Sequence, residues 1–350
     1  MKELNAAGVI GHFAFGKDLL NGQTIKTKII AKGLEDAYGT ERVKKADTSG
    51  GATALMKLPF MLTGLLKSCS DIVILPAHRG IRIIVPLLVF LNAFFGRRLH
   101  YVVIGGWLPT FLSKKKSLAK KLKKFDSILV ETEKMKNDLC EIGFENVLIM
   151  PNCKDIPIIP IERLSTVAEK PYKLCTFSRV MKEKGIEDAI NAVSAVNGRA
   201  GKNIFSLDIY GQVDSEQIEW FEELKNNFPP FVKYGGEIPF DKSTDVLKDY
   251  FALLFPTHFY TEGVPGTVID AYASGLPVIA ARWESFSDVI TDGVTGIGYD
   301  FGSDELEGIL NSIASNPSII TDKRLACVKE AEKYRVENAI EILTSRMNNS

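Results

Sequence analysis

The chain has 350 residues, 45% of them hydrophobic and 25% charged, which is too long for one ordinary core and comfortable for two domains. Its 43 basic and 43 acidic side chains cancel, so no global field favours nucleic acid. Five scattered cysteines (Cys69, Cys140, Cys153, Cys175, Cys327) form no CxxC pair; this argues against a disulfide framework or a zinc knuckle and for buried thiols in a reducing compartment.

In chain order, the N-terminus has no basic region followed by a long apolar run, so no signal peptide and a cytoplasmic location are expected. Gly8 to Phe15 is a short apolar run ending at Gly16, and Thr24 to Tyr38 reads as a helix with Ile25, Ile29 and Ile30 on one face. Asp71 to Leu75 is a compact strand. Ile81 to Phe95, flanked by Arg82, Arg97 and Arg98, is the most apolar stretch. It falls short of the roughly 20 residues a spanning helix needs. It reads as a helix buried against a sheet, with a monotopic membrane dip as the rival. Leu99 to Ile104, Ser127 to Glu131 and Asn146 to Met150 are further strands, the last following a helix with Met135, Leu139 and Ile142.

Between the first two of these strands, Ser113 to Phe125 carries seven lysines: Lys114, Lys115, Lys116, Lys120, Lys121, Lys123 and Lys124. As one helix it would place Leu118, Leu122 and Phe125 together with lysines around them. Two readings stand: a helix on an anionic membrane surface, each lysine worth about 1 kcal/mol at best, or a solvated face packed on the N-terminal domain.

Pro151 to Pro171 holds four prolines and little periodicity, the composition of a linker. Alternation then restarts. Lys173 to Phe177, Phe205 to Tyr210, Phe231 to Tyr234, Ala252 to Phe255 and Val278 to Ala281 read as strands. Ile186 to Val196 has helical apolar spacing, and Lys323 to Met347 reads as helix. Apolar strands separated by helices indicate parallel sheets with helices on both faces. The expected architecture is α/β: two Rossmann-like doubly wound domains facing a cleft, with ligands at the carboxyl ends of the strands. The expected division is 1–155, a linker 156–171, a second domain 172–335, and a C-terminal helix 336–350 packing back on the first domain.

The segment Glu262 to Pro277, EGVPGTVIDAYASGLP, follows the strand Ala252 to Phe255. An irregular loop should enter a helix near Gly266 and stop at Gly275, a frequent helix-ending residue. The N–H groups of such a helix start and its partial positive charge suit a diphosphate. Asp270, one turn in, could take a vicinal diol. Upstream, Ser178 to Gly185 reads SRVMKEKG and puts Arg179 and Lys184 at another strand end. Arg binds phosphate oxygens bidentately and Lys acts as a point charge. Lys182 and Glu183 should face solvent.

These segments resemble two signatures of family 4 glycosyltransferases, which have the GT-B fold: Glu-x7-Glu, with Asp270 in place of the second Glu, and Gly-Arg-Leu-x-x-Glu-Lys-Gly. Weaker likenesses cover most of the chain: Asn21-Gly22-Gln23 resembles a glycine loop near the diphosphate, Ser127 to Asn152 the approach to the linker, and Val232 to Ile238 the strand and loop that read the base. The resemblance implies a retaining transferase, Arg179 and Lys184 on the donor diphosphate, and Glu262 positioning the donor sugar hydroxyls as the third catalytic residue. It implies Gly22, Ile238, Gly263, Val264, Pro265, Gly266, Thr267 and Asp270 around the donor. It also implies no required metal or cofactor, since no Asp-x-Asp stands at a strand end. The donor is expected to be a UDP-linked hexose or N-acetylhexosamine. The expected acceptor is a saccharide, lipid-linked if the lysine helix meets a membrane, as in cell-surface polysaccharide synthesis. Two departures stand out. Relatives often carry a His after the strand that here ends Gly105-Gly106-Trp107; His78 or His12 could serve the acceptor side with Gly106, or be structural. Glu284-Ser285 stands where relatives often have Gly-Gly. The alternatives are another GT-B enzyme, such as an epimerase or phosphorylase, and a non-catalytic nucleotide-sugar-binding protein.

Overall fold

The computed structural model describes residues 5–16, 22–164, 169–302 and 304–348. They divide into two units, 1–155 with 334–350, and 156–333.

In the first unit, strands β1 (Asn5–Gly11), β2 (Val43–Asp47), β3 (Cys69–Ile74), β4 (Arg98–Val102), β5 (Ser127–Val130) and β6 (Val147–Ile149) form one sheet. Its order is β2-β1-β3-β4-β5-β6, and every pairing is parallel. Its helices are α1 (Gly22–Tyr38), α2 (Gly51–Ser68), α3 (His78–Asn92), α4 (Leu108–Ser113), α5 (Lys116–Leu122) and α6 (Glu133–Glu141). One core lies under α2 to α6, with Leu62, Leu66, Val85, Leu88, Leu122 and Leu139 buried against Ile72, Tyr101 and Ile128. Buried on both faces, the central strands read as continuous apolar runs. The topological switch lies between β1 and β3, where the direction of strand addition reverses.

In the second unit the strands are β7 (Tyr172–Phe177), β8 (Phe205–Tyr210), β9 (Val232–Gly236), β10 (Ala252–Phe255), β11 (Val278–Ala281) and β12 (Gly296–Tyr299). Their order is β12-β11-β10-β7-β8-β9, again all parallel. The helices are α7 (Ile186–Ala200), α8 (Ile218–Asn226), α9 (Ser243–Leu247), α10 (Gly266–Ala273), α11 (Phe286–Val289), α12 (Glu305–Ser315), α13 (Ser318–Thr321) and α14 (Arg324–Ala331). The switch here falls between β7 and β10. The final helix, α15 (Val336–Asn348), belongs to the first unit, where Ala339, Ile340 and Leu343 join Ile30, Leu34 and Val9 in the core beneath α1.

The α/β reading holds, with four local corrections. β2 and α2 carry no readable signal: β2 is an edge strand whose Lys44 and Lys45 are exposed, a usual way to blunt an edge. α2 has Pro59 inside it, a breaker in any pattern reading; burial of Leu58, Leu62, Leu65 and Leu66 holds it. Ser113 to Phe125 is two helices rather than one. Lys115 leaves helical geometry (φ −132°, ψ 59°) and separates the two. The buried positions Leu118, Leu122 and Phe125 are nonetheless as the periodicity predicts. Lys323 to Met347 breaks at Glu332–Arg335, where the chain leaves one core for the other. The fourth correction concerns Ile81 to Phe95: Ile81, Ile84, Val85 and Leu88 are buried, but Ile83, Phe90 and Phe94 are exposed.

A polar network lies inside the first sheet, toward the N-terminal ends of its strands. His100 contacts Ser127 Oγ through Nδ1 (2.8 Å) and Asp71 Oδ1 through Nε2 (3.0 Å), and Arg98 donates to Asp71 (2.8 Å). Burial raises the Asp71 carboxyl, but hydrogen bonds from His100, Ser70 and Arg98 outweigh it and hold the group below its ordinary range. His100 and Ser127 are fully buried, so this Ser-His-Asp set is a satisfied core network.

Candidate active site

The site in the second unit is built on the two strands that flank its switch point, where open α/β sheets bind ligands. Past Phe177, the β7 chain continues alongside the end of β8: Val180 N–H donates to Gln212 O (2.9 Å) and Asp214 N–H to Val180 O (3.0 Å). This close passage needs Gly211, at φ +133°, where a Cβ would lie 1.8 Å from Ser178 O. Arg179, half exposed, is thereby presented at the strand end, with Nη1 3.3 Å from Asp214 Oδ2. A single turn of 3-10 helix (Lys182–Lys184) follows, with Lys182 and Glu183 exposed as expected.

Gly185 then turns left-handed (φ +68°) and lies against the end of β10; a Cβ there would be 2.0 Å from Pro256 O. That contact brings Lys184 to the loop after β10. Lys184 Nζ pairs with Glu262 Oε1, which also accepts from Thr257 Oγ1 at 3.3 Å. The ammonium sits 4.8 Å from the Phe259 ring centroid and 5.5 Å from that of Phe255. Thr267, in the first turn of α10, donates its hydroxyl to Phe177 O and ties the helix start to the end of β7. Thus Arg179, Lys184, Glu262 and the start of α10, residues far apart in sequence, share one strand-end region. Gly263, Val264 and Pro265 are buried, while Gly266 and Thr267 are partly open. α10 begins at Gly266, and Gly275 closes it with φ +63°, as the spacing predicts. We expect Gly185→Ala to lower the unfolding free energy by at least about 2 kcal/mol, from left-handed strain plus the clash. Chemical denaturation checks it; an unchanged midpoint would show that the contact is not tight.

Asp270 is placed differently from its expectation. It lies on α10, but it is 2% exposed and its Oδ1 accepts from Ser243 Oγ on α9 at 2.8 Å. As the side chains stand, the carboxylate is turned into the protein rather than offered to a diol. Ile238 lies past the end of β9, half-buried, and Glu284 N–H donates to Tyr260 O (2.9 Å), tying the Glu284-Ser285 turn to the loop after β10. Sequence reading missed His258, which pairs with Asp188 (2.5 Å) beside a cavity of about 440 Å³ that holds none of Arg179, Lys184, Glu262 or Asp270. Among the described residues, no group of His, Cys, Asp or Glu could hold a metal ion.

In the first unit, His12 and His78 flank the β1/β3 switch. His12 Nδ1 is 2.8 Å from Thr24 Oγ1. His78, at the start of α3, stacks on Trp107 with centroids 3.7 Å apart and meets Phe111 edge-on. It therefore reaches the Gly105-Gly106-Trp107 turn, a meeting no spacing shows. Burial first, and the Arg82 guanidinium second, push His78 below the ordinary histidine pKa, so it is neutral near pH 7. Gly22 opens α1 and is exposed; Asn21 lies outside the described residues.

Residues 171–314 match the family model of group 1 glycosyl transferases. An uncharacterised glycosyltransferase of Methanocaldococcus jannaschii is 26% identical over 211 residues, 55% of this chain and 51% of that protein. A chitobiosyldiphosphodolichol beta-mannosyltransferase of Arthroderma benhamiae is 36% identical over 78 residues, 21% of this chain and 17% of that protein. The first match thus spans about half the length of that relative. HepE of Anabaena, solved with UDP and glucose, superposes with a TM-score of 0.74 at 12% identity, covering 99% of this chain and 100% of its own. The apo form of the lipopolysaccharide outer core galactosyltransferase WaaB gives 0.67 at 16%, covering 98% and 99%. The fold is GT-B, two Rossmann-like domains.

Proposed function

We propose that the protein is a retaining glycosyltransferase that moves a hexose or N-acetylhexosamine from a UDP-linked donor to a saccharide or lipid-linked saccharide acceptor in cell-surface polysaccharide synthesis. The observation that carries the transferase reading is the Lys184–Glu262 pair beside Arg179 and the start of α10, at the β7/β10 switch. The region also lies inside the span matched by the group 1 family model. UDP is favoured because HepE was solved with UDP and with UDP-glucose.

In this reading the bond between the sugar's anomeric carbon and the diphosphate oxygen breaks, and the electron pair leaves with the nucleoside diphosphate. Lys184, Arg179 and the N–H groups at the start of α10 stabilise that developing charge. They are already in place, so little reorganisation accompanies the step. Glu262 is an acceptor of hydrogen bonds from donor sugar hydroxyls, held by Thr257 and Lys184. The departing phosphate oxygen takes the acceptor hydroxyl's proton as the new glycosidic bond forms, so no enzymatic base is consumed. Asp270 acts through Ser243 on the wall of the donor pocket rather than directly on the ribose.

A panel of UDP-, GDP- and ADP-sugars tests this through thermal stabilisation and donor hydrolysis, each with and without a chelator. UDP-sugars should raise the melting temperature and release UDP slowly without acceptor. Chelation should leave the rate largely unchanged, because protein cations supply the positive charge. Failure of every donor, or activity lost to EDTA and restored by manganese, would contradict the proposal.

A further inference from the structure

We propose that the outer surface of α2, α3 and α5 in the first unit docks on an anionic lipid bilayer, with the lysine-lined pocket between α3 and α5 seating lipid phosphate headgroups. This surface has its own chemistry and does not depend on the donor reading. Three independent features carry it.

The first is apolar exposure. α3 presents a ridge of Arg82, Pro86 and Phe90 at four-residue spacing, one face of a helix, and Phe94 follows in the turn just past its end. Phe90 is 64% and Phe94 76% exposed, their rings edge-on at 5.9 Å. α2, packed beside α3, adds Met56 at 76% and Phe60 at 82%. Single exposed apolar residues need no explanation, but several aromatic ones on adjacent helices do. The second is the pocket, about 400 Å³, lined by Arg82, Pro86, Lys114, Lys115, Lys116 and Lys121. Among the described residues, Lys114, Lys115 and Lys116 have no acidic partner, so their charge is available to an external anion. Pro86 lines the pocket and sits on the ridge, which makes apolar and cationic parts one surface.

The third is the charge pattern. Residues 48–125 contain 13 Lys or Arg and a single acidic residue, Asp71. Asp71 is buried and already paired with Arg98. In a chain of zero net charge, this is a strongly one-sided region, and the helices α2 to α5, which cover one face of the first sheet, all come from it. Apolar side chains to enter the acyl boundary, ringed by cations for the headgroups, is the composition of an interfacial surface. No described helix is long and apolar enough to cross a membrane.

Flotation of the full chain with vesicles tests it, using phosphatidylcholine alone and phosphatidylcholine with 30 mol% phosphatidylglycerol as a roughly physiological anionic fraction. The protein should float only with the anionic vesicles and be released as salt rises. Lys114→Glu/Lys115→Glu/Lys116→Glu should weaken binding about a hundredfold, from the loss of three attractive charges and the gain of three repulsive ones. Phe90→Ser/Phe94→Ser should weaken it about tenfold or more, with less change in the salt dependence. All five positions are exposed, so both variants should melt with the wild type and hydrolyse donor in solution at its rate. Glu262→Gln should float normally, which separates this surface from the donor site. Equal flotation with neutral vesicles, no flotation, or variants that bind like wild type would overturn it. A dimer in light scattering that Phe90→Ser/Phe94→Ser dissociates would assign the face to a second copy instead.

Discussion

Replacing Glu262 by Gln is expected to lower kcat/KM for sugar transfer by about a thousandfold while leaving nucleoside diphosphate binding intact or tighter. The carboxylate is partly buried and accepts from Thr257 and Lys184. Two charge-assisted hydrogen bonds from sugar hydroxyls, at about 1.5 to 3 kcal/mol each, amount to that loss if both depend on the charge. Gln keeps the shape but removes the charge and replaces one acceptor oxygen by an NH2 donor. Lys184 is then less neutralised, and its attraction for a diphosphate rises in a part-buried setting. Transfer rates and calorimetric titration with UDP separate the two effects. A Gln variant that transfers at the wild-type rate would remove Glu262 from the machinery.

Lys184→Ala should act in the opposite sense on binding. It takes away the cation closest to Glu262, so both donor affinity and the rate should suffer, with kcat/KM down by about 10² to 10³. The ammonium lies 5.5 Å from the ring centroid of Phe255 and 4.8 Å from that of Phe259. Lys184→Arg should therefore restore little, since a planar fork has different reach and packing. Arg179→Ala should cost less than Lys184→Ala: the guanidinium is half exposed, and its one described partner is Asp214 at 3.3 Å. Steady-state kinetics on the three variants gives the ranking. An Arg179 effect larger than that of Lys184 would mean that the diphosphate lies nearer β8 than the pair suggests.

What the sequence makes legible follows from what each residue answers to. Central strands are buried on both faces, so their apolar runs announce them, and β8, β10 and β11 lie where those runs do. The α10 boundaries were readable from Gly266 and Gly275, because local chemistry starts and stops a short helix. β2 and α2 were not readable: an edge strand carries lysines, and Pro59 interrupts the only pattern α2 has. In the site, Arg179 and Lys184 could be named from strand-end position, and Glu262 from the resemblance to the Glu-x7-Glu signature. Their pairing could not, because it depends on Gly185 packing against Pro256, a contact between loops far apart in sequence. Asp270 shows the limit most plainly. Its place on the helix follows from spacing, whereas its hydrogen bond to Ser243 follows from where α9 packs. The same holds for His78, which spacing leaves undecided and stacking on Trp107 places at the turn that lacks a histidine of its own.

Calorimetric titration of UDP into the wild type, Glu262→Gln and Lys184→Ala, side by side, tests the donor site most directly. The expected result is measurable binding to the wild type, equal or tighter binding to Glu262→Gln, and at least about tenfold weaker binding to Lys184→Ala, a loss of about 1.4 kcal/mol. Binding that is the same in all three would show that the nucleoside diphosphate is held elsewhere, and the absence of binding to the wild type by any nucleoside diphosphate would contradict the assignment itself.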